Sequence, residues 1–145
     1  IPPKNLLDMT TKFNIPHSWG NLKQYAIDTA YIEYVSVSFH WNRDLNLKKV
    51  YGFPKSSWGI AFVVLSDYMK FEETNSKTVI SAAVTITNRK SPNNNKIADE
   101  CTANELVDEM FLQLKEAYPD LPLPTISIMS PGVKYDDKNN NIFSS

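Results

Sequence analysis

The side chains of this chain that could do chemistry gather at a few places. Between Val35 and Trp41 the order Val-Ser-Val-Ser-Phe-His-Trp sets Ser36, Ser38 and His40 at every second position. An extended strand sends alternate side chains to opposite faces, so these three share one face. Two hydroxyls and an imidazole in a row can hydrogen-bond a ligand and exchange a proton near neutral pH. A hydrogen-bonded sheet histidine with no catalytic work fits the same pattern. Trp58 and Tyr68 flank an apolar run, at strand ends where ligand pockets open, and with Ser36, Ser38 and His40 they form the set of substrate-binding candidates.

Other reactive types carry less. Cys101 and His40 have the chemistry of a thiolate–imidazole pair. Cys101, however, immediately precedes Thr102, where an apolar residue packs back on Leu106 as a hydrophobic staple. Glu72-Glu73 and Asp136-Asp137 are adjacent acids without the glycine-containing loop of a calcium site, and read as solvated. His17 lies in a proline-flanked loop and reads as surface. No phosphate loop, nucleophile elbow or His-Glu-x-x-His is present, and four glycines in 145 residues are too few for a dinucleotide cradle. No catalytic, metal or cofactor ligand is therefore expected within the chain.

Composition narrows the class further. A formal net charge of −1, with Arg43 and Arg89 the only arginines, leaves no cationic excess for phosphates, so nucleic acid is not an expected partner. One cysteine excludes an internal disulfide. There is no Asn-x-Ser/Thr acceptor and no apolar stretch approaching the roughly 18 residues of a membrane span, which points away from membranes and toward an intracellular setting. Hydrophobic residues at 42% and charged residues at 21% are those of a folded chain with one core.

The elements that must position these residues follow from periodicity. Pro2 and Pro3 lead into a short helix through Met9, and Asn21 caps a second helix carrying Leu22, Tyr25, Ala26 and Thr29 on one face. Tyr31 to Trp41 alternates as a strand. Val50 to Pro54 forms a brief pairing segment, Trp58 to Leu65 is an apolar run suited to a central strand, and Lys77 to Thr87 alternates again. Three successive strands favour an antiparallel meander. Asn88 to Asp99 is an asparagine-rich loop expected to be mobile. Thr102 and Glu105 spell a capping box, behind which Leu106, Val107, Met110, Phe111, Leu114 and Tyr118 recur at helical spacing. Prolines 119, 122 and 124 end that helix, Thr125 to Ser130 is a fourth strand, and a polar tail follows. The expected fold is α+β, a mostly antiparallel sheet of about four to six strands with helices packed on one face, in one domain spanning 1–145.

The chain opens Ile1-Pro2-Pro3 without Met and closes on Ile142-Phe143-Ser144-Ser145, from which we expect a piece of a longer protein. Three stretches carry a resemblance: Ile1-Pro2-Pro3-Lys4-Asn5-Leu6-Leu7, Phe39-His40-Trp41 through Tyr51-Gly52-Phe53-Pro54 to Trp58-Gly59-Ile60-Ala61-Phe62, and Asn104-Glu105-Leu106-Val107-Asp108-Glu109 through Ser130-Pro131-Gly132-Val133. They are similar to the central, substrate-binding region of FAD-dependent amine oxidase-like oxidoreductases, including some from large DNA viruses, where a virion or host cytoplasm would be the setting. The resemblance implies FAD held by a separate FAD-binding domain of the same parent chain, with this segment orienting a small-molecule substrate above it. It transfers no catalytic residue, and the segment alone is expected neither to hold FAD nor to turn over. The alternative expectation is a non-catalytic protein-interaction module working through its aromatic surface and sheet edge.

Overall fold

A computed structural model describes residues 3–10, 20–29, 35–47, 55–130, 133–136 and 141–144. The chain divides into two units, Ile1–Ile32 and Glu33–Ser145. In the first, helices α1 (Pro3–Thr10) and α2 (Leu22–Asp28) pack together. Asn21 caps α2 as its sequence position requires, its Oδ1 accepting the Gln24 N–H at 3.0 Å. Leu22 and Ala26 are buried, one turn apart, whereas Tyr25 is exposed and leaves the face the spacing assigned to it.

The second unit is built on strands β1 (Val35–Trp41), β2 (Ala61–Val64), β3 (Thr78–Val84) and β4 (Ile126–Met129), with helix α3 (Ala103–Ala117) and a separate ribbon of β5 (Val133–Asp136) and β6 (Asn141–Ser144). The four strands form one antiparallel sheet in the order β2-β3-β1-β4, and the fold is α+β. The expected meander is corrected here. β2 and β3 are hairpin neighbours, but β1 pairs along the whole of β3, from Val35 opposite Val84 to Trp41 opposite Thr78. The strands β1 and β3 are each seven residues long, so they match each other over more pairs than either matches the four-residue β2.

The apolar run from Trp58 is likewise an edge strand and not a central one. Gly59 takes φ +57 and bends the chain, so that Trp58 and Ile60 enter the core from a turn before β2 begins at Ala61. The segment Val50–Pro54 and the Tyr31–Tyr34 start of the first expected strand lie outside the described residues.

One face of the sheet is closed by α3. Val35, Val37, Phe39 and Trp41 of β1, Ile80, Ala82 and Val84 of β3, and Phe62 and Val64 of β2 meet Leu106, Met110, Phe111 and Leu114 in a single buried cluster. Phe39 and Phe111 hold ring centroids 5.8 Å apart, and Phe62 meets Tyr118 at 5.6 Å. The capping box forms as its spelling requires: Thr102 Oγ1 accepts from the Glu105 N–H, and the Glu105 carboxylate accepts from the Thr102 N–H at 2.9 Å. Cys101, fully buried beside this start in the same cluster as Leu106, takes the packing position read from the sequence.

Two stretches are more ordered than their polar composition suggested. The loop after β3 is hydrogen-bonded to itself, from Ser91 N–H to Lys96 O at 2.8 Å and from Asn95 N–H to Ser91 O at 3.0 Å, with Asn95 at φ +58. The expected polar tail, Asp136 to Asn141, has its two ends in the strands of the ribbon, in which Val133 opposes Ser144 and Asp136 opposes Asn141.

Candidate functional site

Residues paired across an antiparallel sheet share a face, so the register maps the surface opposite α3. On it Ser38 lies between Ser81 of β3 and Ile128 of β4, with Val63 of β2 beyond Ser81. Ser36 faces Ala83, which faces Ala61, and His40 lies between Val79 and Ile126. The middle of this face is thus floored by small side chains: Ser36, Ser38, Ser81, Ala83 and Ala61. Its β4 side is walled by Ile126 and Ile128, which are 37% and 45% exposed and so available to a ligand or partner.

His40 closes one end. The connection between β2 and β3 folds over it: Phe71 bridges to Ser76, the turn between them is closed by Asn75 at φ +50, and the Phe71 ring meets the imidazole edge-on at 5.7 Å. His40 Nδ1 lies 3.0 Å from Ser76 Oγ, and Ser76 Oγ lies 2.7 Å from Thr74 Oγ1. With the ring proton on Nε2, the Ser76 hydroxyl donates to Nδ1 and accepts from Thr74. Burial lowers the imidazole pKa below its ordinary value, which favours this neutral form.

The five candidate side chains are therefore not brought into one place. Ser36, Ser38 and His40 form the expected row. Trp58, read as a pocket residue, is corrected: it is fully buried in the α3-side cluster, its indole N–H donating to Arg89 O at 3.0 Å and its main-chain N–H to Gln113 Oε1 at 3.0 Å. Its strand-end position misled because Gly59 turns the preceding residue inward. Tyr68 follows the 3₁₀ turn at Leu65–Asp67 and is 64% exposed.

Cys101 is turned to the α3 side of the sheet, with Asn94 Nδ2 3.6 Å and Ile97 O 3.4 Å from its sulfur, while His40 is on the other face. Burial raises the thiol pKa, so it is held as the thiol and makes no ion pair with His40. Glu72 and Glu73 are exposed on the turn over His40; both border an open cavity of about 430 Å³, and Glu72 also borders one of about 360 Å³. A further hollow of about 370 Å³ lies at the end of α3 among Leu45, Leu47, Ala117, Tyr118 and Leu121. Asp137 lies outside the described residues. No group of three metal-binding side chains occurs among the described residues.

Three polar residues escaped the sequence reading. Ser76 and Thr74 meet His40 only because the hairpin turn returns them, a contact 36 positions apart that no local pattern encodes. Glu109 is buried on α3, accepting from Asn93 Nδ2 and Gln113 Nε2, each at 2.9 Å. Its signal was present: Leu106, Glu109, Met110 and Gln113 share one helical face, and two polar residues on an apolar stripe require partners.

Of the four glycines, Gly20 and Gly59 lie among the described residues. Gly20 precedes a helix of only seven residues, and Gly59 is packed so tightly that a Cβ there would lie 2.7 Å from Thr85 Oγ1, leaving no cradle for a phosphate. Among the described residues no helix is long and apolar enough to cross a membrane. No family model matches the chain, and no curated protein or solved structure is found to be similar to it.

Proposed function

We propose that this chain is a substrate-side binding domain of a flavin-dependent, amine oxidase-like oxidoreductase, with the flavin held by residues of another domain and the sheet face opposite α3 turned toward the substrate. The observation that carries the reading is the one-sided use of the sheet in residues 33–145. One face is filled by large side chains under α3, and the other presents Ser36, Ser38 and Ser81 between apolar walls, with neutral His40 at one end. Small hydroxyl-bearing residues on a rigid sheet bind and orient a small molecule without supplying a nucleophile. The resemblance of the stretches at Ile1–Leu7, Phe39–Phe62 and Asn104–Val133 supports the flavin class and, with it, a separate domain as the holder of the cofactor.

The test has two arms. A longer chain bearing a dinucleotide-binding domain should purify yellow with flavin absorbance, while residues 1–145 purify colourless. On that longer chain, Ser38→Leu should raise KM about ten-fold by filling the floor of the face, with the flavin spectrum unchanged. A folded, colourless longer chain would refute the flavin assignment. A yellow one indifferent to Ser38→Leu would refute the assigned face.

A second reading, a protein-interaction module, is favoured by the exposed Ile126 and Ile128 on an edge strand.

A further inference from the structure

We infer that Ser76 is a nucleophilic serine with His40 as its general base, and that the pair hydrolyses small esters in the cavity beside it through an acyl-serine intermediate. The inference does not rest on the flavin reading, and either can fail without the other.

A serine attacks an ester carbonyl only if its proton has an acceptor within reach. The Ser76 hydroxyl has one: His40 Nδ1 lies 3.0 Å away, at the distance of a general base. Burial favours the neutral imidazole, the form that can take the proton. Since the single Ser76 proton is directed to His40, Thr74 Oγ1 at 2.7 Å donates to the Ser76 oxygen and steadies the charge that builds there as the proton leaves.

Both members of the pair are held in place. The Ser76 N–H donates to Phe71 O at 3.2 Å, and the next N–H, that of Lys77, donates to Trp41 O at 2.9 Å. His40 lies within β1, paired to β3 on one side and β4 on the other, and the Phe71 ring meets its imidazole edge-on at 5.7 Å. A nucleophile and base fixed in this way start close to the geometry of reaction.

The substrate class follows from the cavity. His40 is only 4% exposed, whereas Ser76 is half-buried and lines the cavity of about 360 Å³ together with Met69, Lys70, Phe71 and Lys77. That volume suits a small ester with a short acyl chain. Met69 and Phe71 offer apolar contact to the chain, and Lys70 and Lys77 bring ammonium donors for the carbonyl oxygen as it becomes an oxyanion. In the first step Ser76 Oγ bonds to the carbonyl carbon and its proton passes to His40; the ester C–O bond then breaks, and the same proton goes to the departing alcohol. In the second step His40 takes a proton from water, whose oxygen bonds to the acyl carbon. The bond to Oγ breaks and the proton returns to Ser76, so that one ester and one water become one acid and one alcohol.

The experiment mixes the 145-residue chain with p-nitrophenyl acetate. The expected result is a burst of nitrophenol stoichiometric with the chain, then slower turnover, with an acetyl group located on Ser76 by fragmentation mass spectrometry. Ser76→Ala should abolish the burst and the label, and His40→Asn should slow the burst about a hundred-fold, with circular dichroism showing each variant folded. Exposed lysines also react with this reagent, so the position of the acetyl group decides. Acetyl groups on lysines with none on Ser76 of the unaltered protein would overturn the inference, whether or not the variants fold. So would an undiminished burst in folded Ser76→Ala or His40→Asn, or a Ser76 acetyl group that water never releases.

Discussion

Trp58 and Gln113 are joined in the interior by a hydrogen bond of 3.0 Å from the main-chain N–H of the first to Oε1 of the second, and both residues are fully buried. Gln113 Nε2 in turn donates to Glu109 Oε1 at 2.9 Å, so one amide side chain serves the turn before β2 and a buried carboxylate of α3 together. Gln113→Leu nearly keeps the volume but takes the acceptor from the Trp58 N–H and one of its two donors from Glu109, which retains Asn93. The expected loss is about 2 to 4 kcal/mol, because a buried donor and a buried acceptor each lose a partner. Chemical denaturation should show a lower midpoint with an unchanged slope, and Gln113→Glu should not rescue, since a carboxylate cannot donate to Glu109.

The loop after β3 is tied to α3 at its middle and end. Asn93 donates to Glu109 at 2.9 Å, and Lys96 reaches Glu105 at 2.6 Å, a pairing that raises the lysine pKa and lowers that of the glutamate. The Lys96 pair is solvent-exposed, so Lys96→Ala should change stability little. Asn93→Ala should cost about 1 to 2 kcal/mol, because its acceptor is a buried carboxylate. Parallel denaturation curves check the contrast, and an equal effect of the two substitutions would contradict it.

The α3 helix, the β1 alternation and the fourth strand were readable because each is encoded locally, by a cap, by a period of 3.6 or by a period of two. The strand order was not. Whether β1 lies beside β2 or β3 depends on matching lengths and faces across more than thirty residues, and no local rule supplies that. Trp58 shows the same limit in miniature: an apolar run fits a strand or a core-filling turn equally, and the positive φ at Gly59 decides between them. The ribbon of 133–136 and 141–144 consists of two four-residue strands, Val-Lys-Tyr-Asp and Asn-Ile-Phe-Ser, too short for periodicity alone to mark them. Of the candidate site, the Ser36, Ser38 and His40 row was legible from alternation, while Ser76 and Thr74 required the folded hairpin.

Gly59 and Gly20 separate two consequences of a left-handed backbone. Both have positive φ, +57 and +65. A Cβ at 20 meets nothing within 4 Å, whereas one at 59 falls 2.7 Å from Thr85 Oγ1 and 2.9 Å from Ile86 Cδ1. The Thr85 hydroxyl is held there by its own bond to Gly59 O at 2.6 Å and cannot move freely. Gly20→Ala should cost only about 1 kcal/mol, from backbone strain. Gly59→Ala adds steric displacement of β3's end and should cost about 2 to 5 kcal/mol. Thermal melts of the two variants check the ranking, and near-equal shifts would count against the packing described at Gly59.

The buried imidazole of His40 predicts a pH dependence whose sign follows from its burial. Desolvation lowers its pKa in the folded chain below the 6.5 of an exposed histidine, so between those two values the unfolded chain binds more protons. Stability from this residue is therefore fully present above pH 6.5 and falls as the pH drops from there to the folded pKa, below which the loss is complete. The Ser76 hydroxyl can turn to accept from a protonated Nδ1, so the imidazolium keeps a hydrogen bond and the penalty arises from desolvation beneath Phe71. His40→Asn removes the titration while retaining polar groups toward Ser76. Unfolding free energies of the protein and of this variant, measured from pH 5 to 8, should converge toward low pH and separate by a constant amount above about pH 7. A difference that stays flat across that range would mean that His40 titrates in the folded chain as it does in water.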